Sequence, residues 1–207
     1  MNNYFHNSGG DQKLELACQI AMRDSLKAGP GERVLIITNP YEDVALISMG
    51  LFDAALALGA EPALLFQPEK SQLEFAHESV FSAIAAEPEI VISISRLKLG
   101  KDRRGLQKPY SSGGTKYDSI FHYLLYGKKR VRGFWSPGVT RDIFVSTLPI
   151  DYEQLKKACI SLKKKLEGSL ALRITSRAGT ACTIGTKGRQ VFVDDGDFSR
   201  PGSGGNL

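Results

Sequence analysis

Three short, almost wholly apolar runs constrain the fold of this chain more than any other feature: Val34-Leu35-Ile36-Ile37, Ala63-Leu64-Leu65-Phe66 and Ile90-Val91-Ile92-Ser93-Ile94. A strand with water on one face alternates apolar and polar residues. A run that is apolar at consecutive positions is covered on both faces, as in a parallel sheet sandwiched by helices. The intervening segments carry helix signals. Asp11 is placed to cap a helix whose Leu14, Ala17, Cys18, Ala21 and Met22 share one face, and Gly29-Pro30-Gly31 stops it. Residues 43–58 are apolar nearly all round, as in a buried helix, with Gly59 as the stop. Ser71 and Glu74 have capping-box spacing, predicting a helix that carries Leu73, Ala76, Val80 and Ile84 on one face. Strand, helix, strand, helix, strand with short connections predicts an α/β fold: an open parallel sheet, right-handed crossovers and helices on both faces.

The second half is more varied. Residues 96–115 read as a polar, flexible loop after the third strand, at the carboxyl edge of the sheet where α/β proteins bind ligands. A short helix near Tyr117–Tyr126 and a strand near Val131–Trp135 continue the pattern. Asp151 and Gln154 then open a helix with the apolar stripe Tyr152, Leu155, Cys159, Leu162 and Leu166, ended by Gly168. Leu170–Thr175, Thr180–Gly185 and Gln190–Val193 are β runs with glycine-containing turns between them, predicting an antiparallel meander. The expected division is an α/β N-terminal domain at 1–168 and the β-rich start of a second, catalytic-type domain at 169–207. The terminal Gly204-Gly205-Asn206-Leu207 has no element after it, so the expectation is a chain cut where its active site should begin.

Charge is unevenly spread. Residues 1–95 carry 5 Lys and Arg against 13 Asp and Glu, whereas residues 96–207 carry 22 against 9. The basic run from Arg96 to Lys108 has few interleaved aromatic residues, so a solvated edge or domain interface is a simpler reading than a nucleic-acid surface. Ser111-Ser112-Gly113-Gly114-Thr115-Lys116 lacks phosphate-loop spacing. His6, His77 and His122 are too scattered to form a metal triad. Asp194, Asp195 and Asp197 read as a strand-end turn in preference to a cation site. Cys18, Cys159 and Cys182 form no CxxC pair, which argues against a disulfide framework or zinc knuckle and fits a reducing compartment. Met1–His6 lacks the basic start and apolar stretch of a signal peptide. No Ser-His-Asp or Cys-His arrangement follows from spacing, and no catalytic residue is assigned.

From Phe134 onward the ordered pieces Pro137-Gly138-Val139-Thr140, Asp151-Tyr152, Arg173-Ile174-Thr175, Gly179-Thr180, Gly188-Arg189, Asp194-Asp195-Gly196 and Gly205-Asn206-Leu207 resemble the aminopeptidase T/aminopeptidase S family of metallo-aminopeptidases. Gly59-Ala60-Glu61-Pro62 resembles a step in that family's N-terminal domain. The chain departs at Ala181-Cys182, where the family often has Asp-Leu. The resemblance implies a cytoplasmic leucyl-aminopeptidase-like hydrolase with a peptide or small-molecule substrate. From the residues themselves, the lack of an apolar run of about 18 residues and the aromatic-poor basic run predict no membrane or nucleic-acid partner, and the unpaired edge of the meander predicts a homodimer or high mobility from about Gly179. The resemblance also implies zinc, cobalt or manganese in a full-length parent, and no metal ligand in this chain. Thr180, Asp195, Gly205 and Asn206 are then the substrate-cleft candidates. The alternatives are a non-catalytic α/β binding protein and a ring-cleaving dioxygenase-like relative.

Overall fold

The structure, a computed structural model, describes residues 10–207; Met1–His6, and His6 with it, lie outside the described residues. It divides into two compact units, residues 10–149 with 196–207 and residues 150–195.

The larger unit opens with α1 (Gln12–Ile20), whose N-cap Asp11 accepts the Leu14 N–H at 3.2 Å, and which runs on through a π turn at Ala21–Ser25. The chain then alternates through β1 (Arg33–Thr38), α2 (Glu42–Ala57), β2 (Glu61–Phe66), α3 (Glu78–Ile84) and β3 (Ile90–Ile94). Next come α4 (Arg103–Gln107), the hairpin β4 (Tyr110–Ser112) and β5 (Thr115–Tyr117), α5 (Ile120–His122) extended by a second π turn, β6 (Arg132–Trp135) and α6 (Arg141–Thr147).

The sheet has the order β2-β1-β3-β6-β9, where β9 is Gly204–Asn206, and each of its neighbouring pairs is parallel. The α/β reading with helices on both faces therefore holds. Alternate residues of the central strands feed two cores. Val34, Ile36, Ile90, Ile92 and Ile94 pack with α1, α2 and Phe144 of α6, whereas Leu35, Ile37 and Val91 pack with Val80, Ile84, Phe121 and Leu125.

Four sequence expectations change. The glycine-rich end does not run into open space: Gly204, Gly205 and Asn206 pair with Gly133, Phe134 and Trp135. Two glycines face each other here because a Cβ on Gly204 would stand 2.6 Å from the Gly133 carbonyl oxygen. No side-chain pattern marks such a strand. Second, the helix expected from Ser71 begins only at Glu78. The capping-box bond forms, Ser71 N–H to Glu74 Oε2 at 2.9 Å, but the backbone of residues 70–76 is spent on pairing with 98–101. Third, residues 96–115 are not one polar loop; they carry α4 and the strand β4. Gly113 and Gly114, at φ +55° and +81°, make the two-residue turn that a tight hairpin requires. Fourth, the meander has two strands, with no strand at 190–193.

The smaller unit holds α7 (Tyr152–Glu167) and the antiparallel pair β7 (Ala171–Thr175) and β8 (Ala181–Gly185). Asp151 caps α7 by accepting the Gln154 N–H at 2.9 Å, as its spacing predicts. The compact units differ from the expected division after Gly168: α7 groups with the hairpin, and residues 196–207 return to the α/β unit.

Arg132 is buried, 5% exposed, at the base of β6. It donates to the Leu26 carbonyl at 2.9 Å and through both terminal nitrogens to Glu32 at 2.8 and 2.7 Å. That hydrogen bond holds the Glu32 carboxyl below its ordinary value of 4.5 against the opposing effect of burial. The hydrogen bond from Arg33 likewise lowers Glu89, to about 2. A carboxylate with a depressed folded-state pKa contributes stability that is present above its unfolded value and lost as pH falls through the folded one. Melting temperature is therefore expected to fall between the ordinary carboxylate range and about pH 2. Glu32→Gln should cost about 1–3 kcal/mol at neutral pH and flatten that acid limb. Calorimetric melts across pH test this, and an unchanged acid limb in the variant would rule Glu32 out as a contributor.

Candidate functional site

A parallel sheet gathers its ligand-facing loops at the carboxyl ends of its strands, most often where strand order reverses. Here the chain steps from β1 outward to β2 and then back across β1 to β3, so the reversal lies between β1 and β3. That crevice is filled. Asn39, wholly buried just after β1, donates to the Gln67 carbonyl at 3.0 Å and accepts the Arg96 N–H at 2.8 Å, tying the ends of β1, β2 and β3 together.

The open space lies one strand over. A cleft of about 510 Å³, a volume typical of small-molecule sites, sits beyond the carboxyl ends of β3 and β6. Its floor is Ser93 and Ser95 from the end of β3 together with Phe81, Phe121 and Trp135. Phe121 and Trp135 meet edge to face, ring centroids 5.8 Å apart at 85°. One side is the segment Lys98-Leu99-Gly100-Lys101, and another is Asp118, Ser119 and His122.

Buried polar groups hold these walls in place. Gln67, 2% exposed, donates to the Leu99 carbonyl at 2.9 Å and accepts the His77 N–H at 3.1 Å. Asp102, 3% exposed, accepts the N–H groups of Arg104, Gly105 and Ile120, each at 3.0 Å, and the Tyr110 hydroxyl at 3.4 Å. With all those lone pairs occupied, Asp102 acts as a clamp joining α4 to α5 and is unsuited to proton transfer.

The basic run sorts itself by partner. Arg96 stacks over Tyr41 at 4.5 Å and pairs with Glu69 at 3.3 Å. Arg103 lies 4.1 Å over Phe75, and Arg104 reaches Glu78 at 3.2 Å. Lys98 and Lys101, the two cations that line the cleft, have no ion-pair partner among the described residues. The expected solvated edge is thus partly the rim of a cleft.

Of the residues singled out from sequence, Gly205 is buried and Asn206 exposed, side by side in β9 and paired with Phe134 and Trp135. Thr180 is exposed in the turn of the smaller unit's hairpin, its N–H donated to Ser176 Oγ at 3.2 Å, and Asp195 is half-buried at that unit's end. Asp197 closes a local turn by accepting the Ser199 hydroxyl at 2.6 Å and N–H at 3.2 Å. His77 caps α3, its Nδ1 accepting the Ser79 N–H at 3.3 Å. The cleft floor was missed in sequence, although a signal for it existed: Ser93 and Ser95 alternate with Ile92 and Ile94 at the end of an otherwise apolar strand. Two hydroxyls on one side of a buried strand call for a partner.

Among the described residues no group of three or more His, Cys, Asp or Glu side chains is arranged to hold a metal. No described helix is long and apolar enough to cross a membrane.

No protein-family model and no curated protein matches the chain. Among solved structures it is similar to the 2,5-dihydroxypyridine dioxygenase from Pseudomonas putida KT2440, with a TM-score of 0.61 and 13% identity over 93% of this chain and 52% of that one. The chain thus spans about half the length of that protein. At this identity the likeness concerns the fold alone. These findings overturn the aminopeptidase T/aminopeptidase S resemblance, and the aminopeptidase and metallopeptidase expectations go with it. Most of the matching pieces are two to four residues long and contain glycine, which the geometry of many unrelated turns selects.

Proposed function

We propose that this chain is the ligand-holding α/β part of a protein of the ring-cleaving dioxygenase kind, and that its cleft takes a small planar ring. The observation that carries the reading is the cleft itself: aromatic faces of Phe121 and Trp135, aliphatic Leu99 and Leu106, and a few convergent polar groups. Apolar walls with sparse polar anchors are how proteins enclose and orient small rings. The fold likeness to a 2,5-dihydroxypyridine dioxygenase supports the choice of ring chemistry. In this reading the cleft residues bind and orient the ring, and bond cleavage belongs to the remainder of a protein of that kind, of which this chain spans about half.

Trp135 is the chain's one tryptophan and lines the cleft, so its emission reports occupancy directly. Titration with 2,5-dihydroxypyridine and with hydroxylated benzoates, followed by Trp135 emission and by calorimetry, is expected to give a saturable site with Kd below about 1 mM, equivalent to about −4 kcal/mol. Absence of saturable heat and of any change at Trp135 for every ring tried would refute the assignment.

A further inference from the structure

We propose that Ser93, Ser95, Lys98 and Lys101 form an oxyanion anchor in this cleft, so that its ligand is an aromatic anion, a ring bearing a carboxylate or an ionised hydroxyl. The inference rests on the cleft-binding reading and deepens it.

The serines come first. Residues two apart on a strand face the same side, so Ser93 and Ser95 share the side of Val91, toward Phe121. They are 3% and 2% exposed, and both line the cleft floor. Their hydroxyl oxygens are 3.0 Å apart, and either can donate to the other. A hydroxyl has one hydrogen and two acceptor positions. One of the two hydrogens is consumed in the pair, and the second has no acceptor among the described residues. A buried O–H without an acceptor is costly, and the direction left open to it is the cleft. The pair therefore offers a donor to a ligand oxygen, and the pairing polarises that donor.

The lysines supply the charge. Their neighbours in the basic run are satisfied internally by Glu69, Glu78 and the rings of Tyr41 and Phe75, which leaves Lys98 and Lys101 as the cations available to a ligand in the cleft. Two carboxylates also line it. Asp102 is covered by three N–H groups and a phenol; Asp118 is exposed and lines the cleft together with Ser119 and His122. An anionic oxygen held by the serines gains from the lysines. A neutral ring gains only the hydroxyl bond.

The test compares a hydroxybenzoate with its neutral amide, alongside inorganic phosphate, on the full chain by calorimetry and Trp135 emission. The carboxylate is expected to bind at least tenfold more tightly than the amide, with the advantage shrinking as salt rises. Lys98→Met and Lys101→Met should each remove most of that advantage while leaving amide binding within about twofold, Ser95→Ala should weaken carboxylate and amide alike, and Asp118→Asn should leave or strengthen anion binding. Both lysines are at least partly exposed, so their replacement leaves folding intact, which a melting curve verifies. Equal affinity for carboxylate and amide would overturn the anchor while sustaining the ring-binding reading. Phosphate binding that depends on the two lysines, with no ring bound, would sustain the anchor and defeat the ring reading. Failure of all three probes would defeat both.

Discussion

Gly133→Ala is expected to destabilise the α/β unit by about 3 kcal/mol or more, and to drive much of the protein into aggregates at ordinary expression temperature. A Cβ at position 133 would stand 1.8 Å from the Val91 carbonyl oxygen and 2.8 Å from its carbon, both in the backbone of the neighbouring strand. No side-chain rotation relieves a collision with backbone, so β3 and β6 must part or slip. Overpacking usually costs 1–3 kcal/mol even where side chains can yield, and here the displaced element is a strand buried on both faces. The loss would extend to β9, whose Gly204 pairs with Gly133 itself. Gly113→Ala is the control: no atom lies within 4 Å of a Cβ there, and the expected cost is the ~1 kcal/mol of an alanine held at positive φ. Urea unfolding of the two variants measures the difference. Comparable midpoints would show that β3 and β6 are not so closely apposed.

Asp102→Ala should be nearly as damaging, and its effect should be concentrated at the cleft. The substitution strips the acceptor from three backbone N–H groups at 3.0 Å and from the Tyr110 hydroxyl. Each buried donor left without a partner costs about 1–3 kcal/mol, and water entering the gap recovers part of it. A net loss of about 3–4 kcal/mol is expected, with residues 100–122 exchanging their amide hydrogens faster than the strands do. Ring binding at Trp135 should weaken with it, because Asp102 joins the segments that carry Lys101 and His122. Asp102→Asn keeps one acceptor oxygen and should fall between the two. Wild-type protection across residues 100–122 in Asp102→Ala would show that the hairpin and α5 hold that wall without the clamp.

Sequence alone determined the elements whose side chains announce both of their faces. Val34–Ile37, Ala63–Phe66 and Ile90–Ile94 are apolar at successive positions and all three are strands, with parallel pairing following from the helices between them; Val34–Ile37 and Ile90–Ile94 are buried on both faces as such a run implies, whereas Ala63–Phe66 lies in the edge strand β2 and stays partly exposed, Phe66 by 46%. Asp11 and Asp151 marked true helix starts because a cap is a local bond, closed within three residues. Tertiary structure decided whatever depends on a distant backbone. Ser71 and Glu74 made their local bond, yet the segment paired with residues 98–101 instead of winding, because those partners are visible only in three dimensions. Gly204–Asn206 became a strand for want of side chains, fitting against Gly133 where nothing larger passes. The cleft belongs to the same class. Phe81, Ser93, Lys101, Phe121 and Trp135 come from five separate segments, and only the packing of α3, α4 and α5 around the ends of β3 and β6 makes them neighbours. A periodicity reports which face of an element is buried. It carries no record of which other element does the burying, and a site assembled from several loop ends is made of that missing information.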